Sequence, residues 1–317
     1  MGALEAYQQK FKRLVVNRVD DRPSPHKICM LLAVLDLARA GALTKNRIEF
    51  RPSLLERYNV FFAAVRGVRD HPNPYFPFFH LSGRLRGGEP SFWHLKPVAG
   101  RESALAALQT ARSVSDITSN IAFVELDERL FNLLADEEAL EALAETITSH
   151  WLGRGFEELL AIVGSTRLAS VYERKIRRQV DIASEPLPPL FVRDPAFRRV
   201  VTEVYDYRCA ATGLRIVLPS GEAMVEAAHI HPFSVAGDDD PRNGLALSPD
   251  MHWAMDRFLI APGPDLKWHV SSDLDDRVPD FKPLLALNER PLLMPKDLRY
   301  APKAESLTWR MSKLRGR

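Results

Sequence analysis

Glu185-Pro186-Leu187-Pro188-Pro189 constrains this chain more than any other stretch. Each proline lacks an amide hydrogen, fixes φ, and pushes the residue before it out of the helical region. Neither a helix nor an inner strand can pass through, so the stretch reads as a stiff extended spacer. The run before it is basic, with Arg167, Arg174, Lys175, Arg177 and Arg178. Residues 166–189 therefore form the expected joint. The chain has 317 residues, and domains of roughly 100–200 residues are usual. One domain is expected on each side, over 1–165 and 190–317.

Composition narrows the class. Hydrophobic residues make up 46% and charged residues 26%, which suits packed cores and argues against global disorder. Two cysteines, Cys29 and Cys209, cannot build a disulfide framework or a four-cysteine zinc site. A reducing, cytoplasmic setting is expected. No apolar run approaches the roughly 20 residues that span a bilayer. The start, Met1-Gly2-Ala3-Leu4-Glu5, lacks a signal-peptide layout. With 43 Lys+Arg against 41 Asp+Glu the formal charge is +2, which argues against a wholesale polybasic nucleic-acid binder. The charges are segregated, however. Acidic residues cluster at 125–145 and 238–240, basic ones at 10–18, 84–86, 167–178 and in Lys313-Leu314-Arg315-Gly316-Arg317. A cationic face backed by an acidic one is compatible with the small total.

The pattern before the joint predicts a mainly helical domain with a small sheet. Leu4, Phe11, Leu14, Val15 and Val19 recur at roughly helical spacing beside Lys10, Lys12, Arg13 and Arg18. Ser24-Pro25 opens a helix whose run from Ile28 to Ala40 is apolar on most faces, as expected of a central core helix. A further helix is expected from Ser53 to Val68. His71-Pro72-Asn73-Pro74-Tyr75-Phe76-Pro77-Phe78-Phe79-His80-Leu81 follows, and its three prolines argue against a regular helix through most of it. Gly83, Gly87 and Gly88 read as a turn between short strands, with Ser91-Phe92-Trp93-His94-Leu95 returning. Residues 102–112 and 127–149 read as helices, and a short one ends near Val163. After the joint come a helix from Pro195 to Tyr205 and short strands around Ile216–Leu218 and Met224–Ala228. The fold class is α+β.

The densest chemistry lies between Arg208 and Ile260. It comprises Val225-Glu226-Ala227-Ala228-His229-Ile230-His231-Pro232, then Asn243-Gly244-Leu245-Ala246-Leu247, then His252-Trp253-Ala254-Met255-Asp256. His229 is placed at a strand end, Asn243 in the loop after an acidic, flexible stretch, and His252 and Asp256 on one face of a helix. Such a set suits phosphodiester hydrolysis with one metal. A neutral imidazole can take a proton from water, and a divalent cation held by a His and a carboxylate can polarise the phosphate. An Asn in the loop can tie the strand to the helix through main-chain hydrogen bonds. A lone strand His or an i,i+4 His–Asp pair is usually structural; the ordered set is what carries the reading.

These residues resemble the HNH, or ββα-metal, nucleases over about residues 193–265, in the branch found in modification-dependent restriction enzymes. The resemblance implies His229 as general base, Asn243 as structural asparagine, and His252 with Asp256 as ligands of Mg²⁺, Mn²⁺ or a similar ion. Other branches carry a ligand immediately before the base, where this chain has Ala228. Glu226 shares that side of the strand by period two and is the candidate third ligand. Paired CxxC knuckles are missing, so Cys209 is expected to be a buried packing residue. His231 either faces solvent or contacts DNA or the metal shell.

A nuclease module cutting a generic phosphodiester needs its selectivity from elsewhere. Pro25-His26-Lys27 at a helix start, the aromatic–proline stretch, and Phe92-Trp93 resemble, in that order, the sulfur-binding domain that recognises phosphorothioate DNA and is often fused to an HNH nuclease. Sulfur is larger, softer and less hydrated than phosphoryl oxygen, so an apolar pocket favours it. The resemblance implies Phe76 and Pro77 as the pocket beside Tyr75, His80 one turn on, and His26 and Lys27 flanking the phosphate. The usual pocket has a Tyr-Pro pair and a small residue one turn later; this chain has Phe76 and His80. Arg84 and Arg86 are candidates for base-edge or phosphate contacts, or belong to a solvated turn.

The reading that follows is a modification-dependent endonuclease acting on double-stranded DNA. A homodimer would let two sites cut both strands. A reader of 5-methylcytosine, another modification or plain sequence is one alternative; a non-catalytic DNA-binding regulator is another.

Overall fold

A computed structural model describes the backbone of residues 2–19, 22–152, 156–179 and 188–316, without the side chains of 156–162. The Gly153-Arg154-Gly155 break and most of the proline spacer, 185–187, lie outside the described residues. Two compact units emerge: Met1–Arg174 with Pro219–Glu222, and Lys175–Leu218 with Ala223–Arg317.

The first unit opens with α1 (Ala3–Lys12) and a two-residue hairpin of β1 (Arg18–Val19) and β2 (Arg22–Pro23). Then come α2 (His26–Arg39), α3 (Pro52–Val65) and α4 (Tyr75–His80). Helix α2 is buried almost end to end, from Ile28 through Leu37, as an all-round apolar helix must be. Helix α4 departs from the sequence expectation. Pro77 is its third residue, and a first-turn amide has no helical partner to lose. Its apolar side packs inward: Phe78 is buried against Trp93 and Phe50, and the Trp93 indole N–H donates to the Phe78 carbonyl at 2.8 Å.

The sheet also differs from the expected local hairpin. Strand β3 (Trp93–Pro97) is followed by α5 (Glu102–Ala107) and α6 (Val114–Asn120) before β4 (Ile121–Leu126) returns antiparallel to it. The glycine turn at 83–88 joins α4 to this sheet rather than two strands. Helices α7 (Glu128–Leu133) and α8 (Glu137–Trp151) then pack back on the core.

The last helix of this part, α9, runs from Phe156 to Arg177. The segment expected to be a joint from residue 166 is thus helical for its first half. Arg and Lys are good helix formers, and no breaker occurs before Gln179, whose φ is 52°. Its cations are not a bare basic face. Arg167 pairs with Glu141 at 3.1 Å, Arg174 with Glu137 at 2.9 Å and Arg177 with Glu203 at 2.7 Å.

Buried beneath α9 is an ionic cluster. The Arg57 guanidinium donates to Asp36 at 2.9 Å, to Glu173 at 2.5 Å and to the Ser53 carbonyl at 3.0 Å. The Ser170 hydroxyl donates to Asp36 at 2.6 Å. All four side chains are at most 1% exposed.

The second unit begins with α10 (Leu190–Val204) and continues through β5 (Glu226–His229), α11 (Phe233–Ala236), β6 (Gly244–Leu247) and α12 (Pro249–Asp256). A hairpin of β7 (Ile260–Pro262) and β8 (Trp268–Val270) follows, then α13 (Lys282–Leu285) and α14 (Ala304–Ser312). Strands β5 and β6 are antiparallel, with Glu226 opposite Leu247 and His229 opposite Gly244. Gly244 fits because a Cβ there would sit 2.6 Å from Val201 and 2.8 Å from Phe197. The architecture is α+β, helices with small two-stranded sheets. No helix among the described residues is long and apolar enough to cross a membrane.

Replacing Arg57 with Met should strand two buried carboxylates. A loss of roughly 3–5 kcal/mol is expected, measured by denaturant unfolding. A loss under about 1 kcal/mol, the range of a surface substitution, would contradict the cluster's place in the fold.

Candidate active site and candidate DNA-reading surface

Strand β5, the loop after it and helix α12 bring His229, Asn243, His252, Asp256 and Glu226 into one region. A cavity of about 520 Å³ is lined by Glu226, His229, His252 and Asp256 together with Phe197 and Phe233. Ala227 also lines it, as expected of a residue on the His229 face of a strand. Ala228 points the other way and is fully buried, so the position before His229 is closed to a ligand. Glu226 reaches the cavity from the strand's start.

His252 lies between the two carboxylates. Its Nδ1 is 2.8 Å from Glu226 Oε2 and its Nε2 is 3.5 Å from Asp256 Oδ2. Each carboxylate meets only the imidazole between them; among the described residues no three His, Cys, Asp or Glu side chains converge as a ready-made ligand set. His229 is 22% exposed at its side chain, with Nε2 3.0 Å from Asp239 Oδ1. Its ring lies parallel to Phe197 at 3.9 Å.

Asn243 is fully buried and acts as a clasp. Its Oδ1 accepts from the His231 amide at 2.9 Å, while its Nδ2 donates to the carbonyls of His231 at 2.9 Å and Asp238 at 3.1 Å. His231 is half-buried and does not line the cavity. Its ring stacks on Trp309 at 4.2 Å, and desolvation, with the Arg310 charge, holds its pKa below the ordinary value. Cys209 is fully buried, with Sγ 3.5 Å from the Ser248 hydroxyl.

Residues that the motif did not single out complete the cavity. Asp194 and Arg198 line it from α10. Asp239 and Arg193 stand behind His229, 3.1 Å apart. Arg193 and Phe197 are four apart on α10, the spacing of one helix face, and that was the available signal. Asp239 lies within Asp238-Asp239-Asp240, where a charge run conceals it.

In the first unit the proposed reader residues are mostly engaged internally. His26 bonds Ser24 Oγ through Nδ1 and the His71 carbonyl through Nε2, both at 2.8 Å. Lys27 Nζ donates to the Val15 carbonyl at 2.9 Å. Tyr75 donates to Asn73 at 3.2 Å, and Pro77 is buried. The half-buried Phe76 lies against His80, ring centres 4.2 Å apart, and His80 Nε2 meets the Thr110 hydroxyl at 3.0 Å. Burial pushes the Lys27 ammonium down to about 8. Burial, then the Lys27 charge, lowers the pKa of His80. Phe76 and His80 thus form a half-buried ring pair close enough to Lys27 for its charge to be felt at His80. Arg84 is exposed and donates to the Gly88 carbonyl at 2.7 Å; Arg86 is exposed and lies over Trp151 at 5.6 Å.

Residues 209–261 match the family described as HNH endonuclease, and the second unit therefore contains an HNH domain. Among solved structures the chain is similar to one named Modification dependent TagI restriction endonuclease, at 22% identity and a TM-score of 0.31. The match covers 41% of this chain and 40% of that one, so the chain spans well under half of that relative. No curated protein matches it.

Two outcomes follow. Asn243→Ala should destabilise the second unit by roughly 1–3 kcal/mol, since it leaves buried main-chain groups unpaired; an unchanged thermal midpoint would contradict the clasp. Lys27 predicts a pH dependence. The unfolded chain keeps this proton up to the ordinary 10.5 and the folded chain only to about 8. Between those values the unfolded state binds more protons, so folding stability contributed by this group rises with pH. Lys27→Met should remove that rise in pH-dependent denaturation curves; an unaltered slope would show the ammonium to be well solvated.

Proposed function

We propose that this protein is a modification-dependent DNA endonuclease whose HNH domain hydrolyses phosphodiester bonds of double-stranded DNA. The observation that carries the reading is the shared cavity. It sets His229 apart from a second histidine that is flanked by two carboxylates, Glu226 and Asp256. One imidazole can then act on a proton while the other group of donors handles charge.

His229 would take a proton from water as the water oxygen bonds to phosphorus and the leaving oxygen departs. Asn243 would hold the loop that keeps His229 at the strand end. His252, Asp256 and Glu226 supply one imidazole and two carboxylates, a donor set suited to a divalent ion such as Mg²⁺ or Mn²⁺. When bound, that ion would polarise the phosphate and stabilise the leaving oxygen. To hold it, His252 would give up its hydrogen bond to Glu226 and its ion pair with Asp256.

The first unit would be the reader, with phosphorothioate as its preferred mark. The support is the half-buried Phe76–His80 ring pair, with Lys27, a cation partly desolvated by burial, near enough for its charge to act on His80. Such surroundings favour a soft, poorly hydrated sulfur over a strongly hydrated oxygen. The half-buried Phe76–His80 ring pair also offers a stacking surface, so a modified base such as 5-methylcytosine is the second reading.

Matched duplexes with and without phosphorothioate, and with 5-methylcytosine, assayed across several divalent metals, test both. Cleavage only of the sulfur-bearing duplex, abolished by a chelator, is the expected result. His229→Ala should lower cleavage by roughly 10²–10⁴-fold with binding of the modified duplex retained. Normal-rate cutting by that variant would overturn the assignment of the base.

A further inference from the structure

We propose that Asp239 is the positioning residue for His229, fixing the imidazole so that Nε2 carries the proton and Nδ1 is left to receive one. The proposal rests on the reading of His229 as the base. Three features of the structure support it.

The first is the hydrogen-bond arithmetic. Asp239 is 2% exposed. Its Oδ1 lies 3.0 Å from His229 Nε2, and its Oδ2 accepts from Arg193 Nη1 at 3.1 Å. A carboxylate beside a guanidinium only accepts hydrogen bonds. Nε2 must therefore be the protonated nitrogen of the neutral ring, and the lone pair falls on Nδ1.

The second feature is the clamp on the ring. Phe197 lies flat against His229 at 3.9 Å and 0°, and Phe233 approaches at 5.9 Å. The Arg193 guanidinium that holds Asp239 also lies 3.7 Å over the Phe233 ring. One arginine thus fixes both the carboxylate behind the imidazole and an aromatic wall beside it.

The third is the division of labour within Asp238-Asp239-Asp240. Asp238 pairs with Lys303 at 2.7 Å. Asp240 bonds the Arg242 guanidinium and amide. Asp239 is turned inward to His229. A run of solvated acids would not divide so.

During hydrolysis Nδ1 would accept the water proton as the new oxygen–phosphorus bond forms and the leaving oxygen departs. The imidazolium so formed faces the Asp239 carboxylate, which stabilises it and stays ionised.

The experiment uses the full chain as Asp239→Asn and His229→Ala variants beside the wild type. Single-turnover cleavage, DNA affinity, thermal midpoint and long-range ¹H–¹⁵N correlation of the His229 ring are measured. The wild-type ring should show the Nε2–H tautomer, its signals identified by their loss in His229→Ala. Asp239→Asn should cut at least about 100-fold more slowly, since an amide can donate to Nε2 and favour the wrong tautomer. Its DNA affinity should stay at the wild-type level. A wild-type ring in the Nδ1–H form would overturn the proposal without any variant. So would Asp239→Asn cutting at the wild-type rate while His229→Ala is dead. If His229→Ala itself cuts normally, the base assignment fails, and the tautomer measurement still decides the Asp239–His229 geometry.

Discussion

The HNH half hangs on one buried arginine whose hydrogen bonds all go to main-chain carbonyls. Arg310, on α14, is 1% exposed. It donates to His229 at 2.9 Å, Ile230 at 2.5 Å and Met255 at 3.1 Å. The first two carbonyls lie where β5 ends; the third belongs to the last turn of α12 and also accepts from the Phe258 amide at 3.0 Å. A rigid guanidinium fork therefore ties the strand bearing His229 to the helix bearing His252 and Asp256. Burial lowers its pKa to about 10, against the attraction of Asp256. The cost of desolvating that cation is offset by its hydrogen bonds to the two carbonyls at the end of β5 and by a further bond to the Met255 carbonyl.

Asn243 does the same work from the other side of the loop. It reproduces main-chain pairing at His231 with its own amide, donor to carbonyl and acceptor to N–H. His231 then lies on Trp309, the neighbour of Arg310. The C-terminal helix, outside the matched span of residues 209–261, is thus part of what shapes the strand–loop–helix. The motif places His229, Asn243, His252 and Asp256, and α14 ties the strand end to the helix that carries the last two.

This division explains what was legible in the sequence. His229, Asn243, His252 and Asp256 lie within one local strand–loop–helix, so their order and spacing carry the geometry. Asp239 does not show, because only the turn decides which of three consecutive acids faces inward. Arg310 does not show, because its partners are carbonyls some fifty-five to eighty-one residues away. The first unit repeats the lesson. The buried run of α2 is visible from Ile28 onward, whereas β4 is hidden because its partner β3 lies across two intervening helices. Proline count misleads at Tyr75–His80 for a local reason: Pro77 falls at the one end of a helix where its missing donor costs nothing.

Charge follows the same logic. The near-zero formal total is compatible with a broad cationic face, and the arginines of 167–178 look like part of one. In the fold, Arg167, Arg174 and Arg177 each meet a carboxylate. A cation already neutralised gains little from a phosphate, because one ion pair must open before another forms. Arg84 and Arg86 stand differently: both are exposed, and their contacts are a carbonyl and an indole face. Neither contact cancels the charge. The glycine turn after α4 therefore carries two exposed guanidinium groups whose charge these contacts leave standing, unlike the paired arginines of the basic helix. It follows directly on the helix that carries Phe76 and His80.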